Sequence, residues 1–323
     1  MSDYQIDIKE NDIYRLDKEL LSILLIDRSS KKNIIWATDN YAHRGVGYQS
    51  ADEITIKAIS GRKGSIIKPR TEKSRREQNT RVREKAEVFT PAWICNKQNN
   101  LVDNAWFGTE EIFNIEHEKS WTTITSPIQF PTATKKTWQE YINDVRLEIT
   151  CGEAPYLVSR YDTVSGEKIE ISQRIGLLDR KLRVVGENTE TEEEWLKWAI
   201  KAFQNIYGYD WQGDNVLLAR ENLLFTFVDY YKAKFSKDPD VDILRKVAEI
   251  LSWNIWQMDG LKFVIPDSCR KVDEDQMTLF DTRAERQPCP GCAKNDPHAH
   301  TGIYCVIKDW KKNRNITFAS MLK

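Results

Sequence analysis

Between Val145 and Ile265, short runs suited to strands alternate with longer runs of helical period, and this alternation limits the fold more than any other feature. Val145-Arg-Leu-Glu-Ile149 reads as a buried strand that runs into Cys151-Gly152. Thr191-Glu-Glu-Glu194 has the form of a capping box, in which hydroxyl and carboxylate each satisfy an orphan backbone N–H. It opens a helix whose apolar positions are Trp195, Trp198, Ala199, Ala202, Phe203 and Ile206, one face of a 3.6-residue period. Ile206-Tyr-Gly-Tyr-Asp210 reads as the next strand, and Asp214 is placed to cap a long helix through Leu217, Leu218, Leu224 and Val228. Asp240 to Leu251 reads as a further helix and Leu261 to Ile265 as a further strand. Strands alternating with helices in this way predict a parallel sheet of the α/β class.

The rest of the chain is organised around that block. A length of 323 residues suits about two domains. Leu20 to Ile26 reads as a helix end and Asn33 to Ala37 as a strand, which makes residues 1–86 an α+β region. The formal net charge of -1 excludes a polycation of the histone type. The charge is nevertheless uneven, because residues 57–86 hold eleven Lys or Arg against three Glu. That segment has two readings. One is a solvated helix or arm. The other is a phosphate-contacting surface built from Arg70, Lys73, Arg75, Arg76, Arg81 and Arg83, since clustered cations release counterions from nucleic acid. No apolar run approaches the roughly 20 residues that span a bilayer, and the first residues lack the basic start and apolar stretch of a signal peptide. A cytoplasmic protein with no membrane partner is therefore expected.

In an open α/β sheet, ligands bind beyond the carboxyl ends of the strands. Three strand ends carry suitable residues. Gly152 lets the backbone approach a ligand closely, Asp210 can accept two ribose hydroxyls, and Asp259 can face an adenine amino group.

This order resembles the adenine-N6 DNA methyltransferases of restriction–modification systems. Glu87-Val-Phe89-Thr90-Pro91 is similar to the family's Phe-Thr-Pro motif beside the methionine moiety of S-adenosylmethionine. Leu147-Glu148-Ile-Thr150-Cys-Gly152 is similar to its first cofactor motif, with Glu153 as the following acid and Ala154-Pro155 in place of a second Gly. Tyr207-Gly-Tyr-Asp210-Trp211 and the helix from Asn215 to Asn222 resemble the ribose motif. Arg174-Ile-Gly-Leu-Leu-Asp179 is its rival, inside a stretch from Ser165 to Thr189 that reads as an insertion. Asn254 to Asp259 resembles the adenine-contacting motif. The resemblance covers residues 87–265. It implies a Rossmann-like S-adenosylmethionine methyltransferase sheet, with Phe89, Thr90, Pro91, Glu148, Thr150, Gly152, Asp210, Trp211 and Asp259 holding the cofactor.

The family's catalytic Asn-Pro-Pro-Tyr-type loop orients the target amine and stacks on the flipped base. This chain contains no Pro-Pro. The expectation is an S-adenosylmethionine-binding subunit with no catalytic residue of its own, acting on DNA with a second subunit that carries the loop. The alternative is a non-catalytic protein of the same fold that holds nucleic acid or a partner.

Residues 266–323 read as a polar linker followed by a zinc-knuckle-like module. Cys289-Pro-Gly-Cys292 on a turn points two thiols at one place, and zinc takes four such ligands in a tetrahedron. Cys305 and one of His298 and His300 complete the expected set for a structural zinc.

Overall fold

The computed structural model describes residues 9–85, 87–131, 136–270 and 288–322. Its helices are α1 (Glu10–Leu16), α2 (Lys18–Leu25), α3 (Ile56–Ile59), α4 (Arg75–Lys85), α5 (Ala92–Phe107), α6 (Trp138–Asn143), α7 (Leu177–Asn188), α8 (Glu192–Gln204), α9 (Gly213–Phe235), α10 (Val241–Asn254) and α11 (Pro290–Lys294). Its strands are β1 (Ile26–Asp27), β2 (Lys32–Asn33), β3 (Asn114–Glu116), β4 (Trp121–Thr123), β5 (Arg146–Ile149), β6 (Ile206–Asp210), β7 (Ile255–Gln257), β8 (Val306–Asp309) and β9 (Arg314–Thr317).

β5, β6 and β7 form a parallel sheet in that order, with Glu148 opposite Gly208 and Gly208 opposite Ile255. Successive residues of a strand face opposite sides, so the sheet has two covers. Ile206 and Ile255 face a helical core that runs from Ile13 and Leu24 through Trp195 and Phe203 to Leu217 and Val247. Residues on both sides of position 86 share this core. Tyr209 and Trp256 face the other way and pack with Ile265, Cys305 and Ile307, so the β8–β9 hairpin covers that side. The central helix α9 is buried on almost every face, which accounts for its many apolar residues without a clear stripe.

Local signals set several boundaries. Asp17 accepts the Leu20 N–H at 2.6 Å and starts α2. Thr191 Oγ1 accepts the Glu194 N–H at 3.2 Å and starts α8. Three expectations need correction. Asp214 does not cap α9; Gln212 holds that position, and Asp214 is buried in the first turn. Val145–Ile149 is not a buried strand. β5 lies at the sheet edge, with Leu147 and Ile149 44% and 63% exposed, and only Glu148 is buried. Leu261–Ile265 forms a turn with a single bridge from Val264 to Tyr304. Within the Ser165–Thr189 stretch, α7 places Leu178, Leu182, Val184 and Val185 in the main core.

The amphipathicity of α5 is inverted. Its buried face carries Asn96, Asn99, Asn100 and Asp103, at helical spacing, around the fully buried Arg180 of α7. Arg180 donates to Asp103, Asn96 and Asn100 at 2.7, 2.8 and 2.6 Å. A buried guanidinium needs such a shell of acceptors. The consequence is that Leu101 and Val102 are left outside.

Candidate functional site

The loop after β5 turns sharply. Thr150, Gly152 and Ala154 all have left-handed backbone, with φ of 47°, 53° and 64°. A β-branched residue in that region is strained, and such strain gathers at ligand sites. Ala154 adopts the conformation that a glycine would take without cost. The coil turns the Gly152 N–H toward Asp210 at the end of β6, at 2.9 Å from Oδ2. The Phe89 ring packs over Gly152, 3.7 Å from where a Cβ would stand. Glu148, the inward residue of β5, accepts the Leu157 N–H at 3.2 Å, and burial raises its carboxyl well above the usual range.

These residues surround an open cleft of about 1090 Å³. Phe89, Thr90, Glu148, Thr150, Gly152, Asp210 and Trp211 all line it, so seven of the nine expected cofactor residues meet in one place. Pro91 stands at the start of α5, outside the lining. Asp259 lies elsewhere and holds a turn: its Oδ1 accepts the Leu261 and Lys262 N–H groups at 3.0 and 3.2 Å. The rival Asp179 is fully buried and accepts from Ser159 and Gly176.

Asp210 is the electrostatic centre of the cleft. Its carboxylate accepts Gly152 N–H and Gln212 N–H, both at 2.9 Å. Burial nevertheless pushes it up to about 6, against the pull of those bonds. Beside it, Asn215 Oδ1 is buried with no hydrogen-bond partner among the described residues. A buried acceptor left unsatisfied costs free energy. Asn215, Gln212, Thr38 and Asn99 belong to the lining and were not expected from the sequence. Asn215 follows Asp210 by five residues and was open to inference, whereas nothing local marks Thr38. The lining also includes the exposed apolar residues Val88, Val102, Leu147 and Ile149.

The C-terminal cysteines gather as expected, but with a different membership. Cys269, Cys289, Cys292 and His300 place their ligand atoms within 4.8 Å of one another, a cluster that could hold a metal such as zinc. His300 Nδ1 lies 3.6, 3.6 and 3.7 Å from the three sulfurs. Cys305 is not a member. It is fully buried between hairpin and sheet, its thiol donating to the Gln257 carbonyl at 3.3 Å. His298 is also outside the cluster. Cys269 was missed because it lies twenty positions before Cys289, in the presumed linker.

The basic segment divides in two. Lys73 and Arg81 are buried. Arg81 donates to both Glu87 oxygens at 3.1 Å and to Asp214, and Lys73 Nζ lies 3.9 Å from Asp214. These two cations are internal counterions and are withdrawn from phosphate contact. Arg70 is half-buried, with its guanidinium 5.4 Å from the Phe89 ring. Arg75, Arg76 and Arg83 are exposed.

No helix among the described residues is long and apolar enough to cross a membrane. No family model, curated protein or solved structure matches the chain.

Proposed function

We propose that the chain is the S-adenosylmethionine-binding subunit of an adenine-N6 DNA methyltransferase of restriction–modification or phage-defence type, with a Rossmann-like sheet and a catalytic loop supplied by a partner. The observation that carries this reading is the meeting of Phe89, Gly152 and Asp210 at the carboxyl ends of adjacent parallel strands, with the orphaned Asn215 acceptor beside them. The cofactor supplies an electrophilic methyl group. Within the cleft, Asp210 accepts the ribose hydroxyls, the Gly152 turn admits the ligand to the backbone, and Asn215 takes a ligand N–H or O–H. A partner is inferred from the open side. The outer edge of β5 has no neighbouring strand among the described residues, and its Leu147 and Ile149 are exposed. Contiguous exposed apolar surface marks an interaction site. We also propose that Cys269, Cys289, Cys292 and His300 hold one structural zinc.

Calorimetric titration tests the first claim. Charge-assisted hydrogen bonds contribute roughly 1.5–3 kcal/mol, so Asp210→Ala is expected to weaken cofactor binding roughly tenfold to a hundredfold. The wild-type affinity is expected to fall about tenfold from pH 7 to pH 5, as the carboxylate near 6 protonates. Stability has the opposite slope. The folded value lies above the ordinary 3.8, so this group's favourable contribution is full below that value and is lost as pH rises through 6. Absence of cofactor binding by the wild type would overturn the proposal.

A further inference from the structure

We propose that the exposed face of α4 and the groove beside it form a track for the phosphate backbone of duplex DNA, which leads to the mouth of the cleft. The choice of DNA as occupant rests on the methyltransferase reading; the track itself rests on charge and shape.

The helix has an inner and an outer face. Arg81 anchors the inner face on Asp214 and Glu87, and Gln78 donates to the carbonyls of Arg70 and Lys73 at 2.9 Å each. The outer face carries Arg76, Asn79, Thr80 and Arg83, at positions i, i+3, i+4 and i+7, which lie on one side of a helix. All four are exposed, and together they line a shallow depression of about 490 Å³. Arg76 and Arg83 stand two turns apart, about 10.5 Å along the axis at 1.5 Å per residue.

The stripe is continuous at both ends. Arg76 also lines a groove of about 700 Å³ with His43, Arg44 and Lys68; Lys73 and Arg81 line it too, but their charge is already paired with Asp214 and Glu87. The carboxylates of that groove are Asp39 and Glu77, which accept from Ser50 N–H at 3.2 Å and from Ser74 N–H at 2.8 Å. At the other end Arg83 lines the Asp210 cleft. The two arginines therefore join three depressions into one cationic path. Duplex DNA carries a negative charge for each ≈1.7 Å of its axis, and a protein gains affinity by releasing its counterions. A row of exposed arginines on a short helix, with polar Asn79 and Thr80 between them, complements that charge without reading bases.

The test is fluorescence anisotropy with a labelled duplex, as a function of salt. Arg44→Glu/Arg76→Glu changes two exposed groove residues outside the cleft lining. It is expected to weaken duplex binding on the order of tenfold or more at ~0.1 M salt, and to reduce the slope of log affinity against log salt by about two. Arg83→Glu is expected to act in the same direction. Lys57→Glu/Arg62→Glu makes an equal charge change at exposed basic residues off the track, and is expected to leave affinity nearly unchanged. An equal loss from both pairs would overturn the track in favour of diffuse charge. Tighter binding of single-stranded RNA than of duplex would overturn the occupant. Cofactor titration of Arg44→Glu/Arg76→Glu separates the two readings. Lost duplex binding with intact cofactor binding supports the track. A wild type that binds duplex but not cofactor overturns the methyltransferase reading and leaves the track standing.

Discussion

Cys269→Ser is expected to release most of the bound zinc, while Cys305→Ala leaves about one zinc per chain. The two substitutions separate geometry from spacing. Cys269 Sγ belongs to the four-atom cluster, whereas Cys305 Sγ faces the Gln257 carbonyl across the hairpin. Structural zinc in small modules supplies on the order of 10–16 kcal/mol, and this free energy is folding free energy. Its loss is therefore expected to loosen the segment from Pro288 to Tyr304, which has no large core of its own. The β5–β6–β7 sheet, packed on its own helical core, should survive. Elemental analysis gives the stoichiometry, and limited proteolysis locates the loosened segment. Zinc binding releases thiol protons, so metal content should fall as pH falls. Retention of zinc by Cys269→Ser together with its loss from Cys305→Ala would reverse the assignment.

Arg81→Ala is expected to destabilise the fold by about 3–5 kcal/mol at neutral pH, the usual cost of breaking a buried ion pair from one side. Asp214 is 1% exposed and Glu87 has little more freedom, so neither carboxylate recovers water when the guanidinium is removed. Burial alone would raise the Asp214 carboxyl, but Arg81 and Lys73 outweigh it and hold it below the usual range. A depressed carboxylate stabilises the fold above its unfolded value and loses that contribution as pH falls. Without Arg81 the same carboxyl shifts upward and takes a proton more readily. The deficit of Arg81→Ala relative to wild type should therefore shrink on acidification toward pH 4. Arg81→Met/Asp214→Asn should recover part of the loss, because the two residues share one interaction and their effects do not add. Urea denaturation at several pH values measures all three quantities. A deficit below about 1 kcal/mol at pH 7 would return Arg81 to the solvated face of α4, in the range of exposed pairs.

Much of the scaffold was legible in the sequence. Strand positions at Arg146–Ile149 and Ile206–Asp210 follow from short apolar runs, and the start of α8 follows from Thr191, because period and capping depend only on neighbours within a turn or two. The sequence preferred Asp210 to Asp179 because of the helix that follows it, and of the two only Asp210 lines the cleft. The Cys-x-x-Cys pair was legible because two ligands on one turn share an origin. Other features depended on partners far along the chain. Whether β5 is central or at an edge depends on which strand lies beside it, and its own four residues carry no mark of that. Cys305 turns inward beside the hairpin in which Val306 pairs with Thr317, and Cys269 takes the fourth place in the Cys/His cluster. Charge counting placed Arg81 with the exposed cations, since its partner Asp214 stands 133 residues later. Asp259 was read as a ligand group from its place after a strand, yet the turn to Lys262 uses its oxygens. The sequence alone determined most helices, the strands Arg146–Ile149 and Ile206–Asp210 and which residue types are clustered, because those properties are local, whereas the third strand, Ile255–Gln257, took its place from pairing with β6. Burial, pairing and the final membership of each site were decided by tertiary structure, because they depend on contacts between residues tens to hundreds of positions apart.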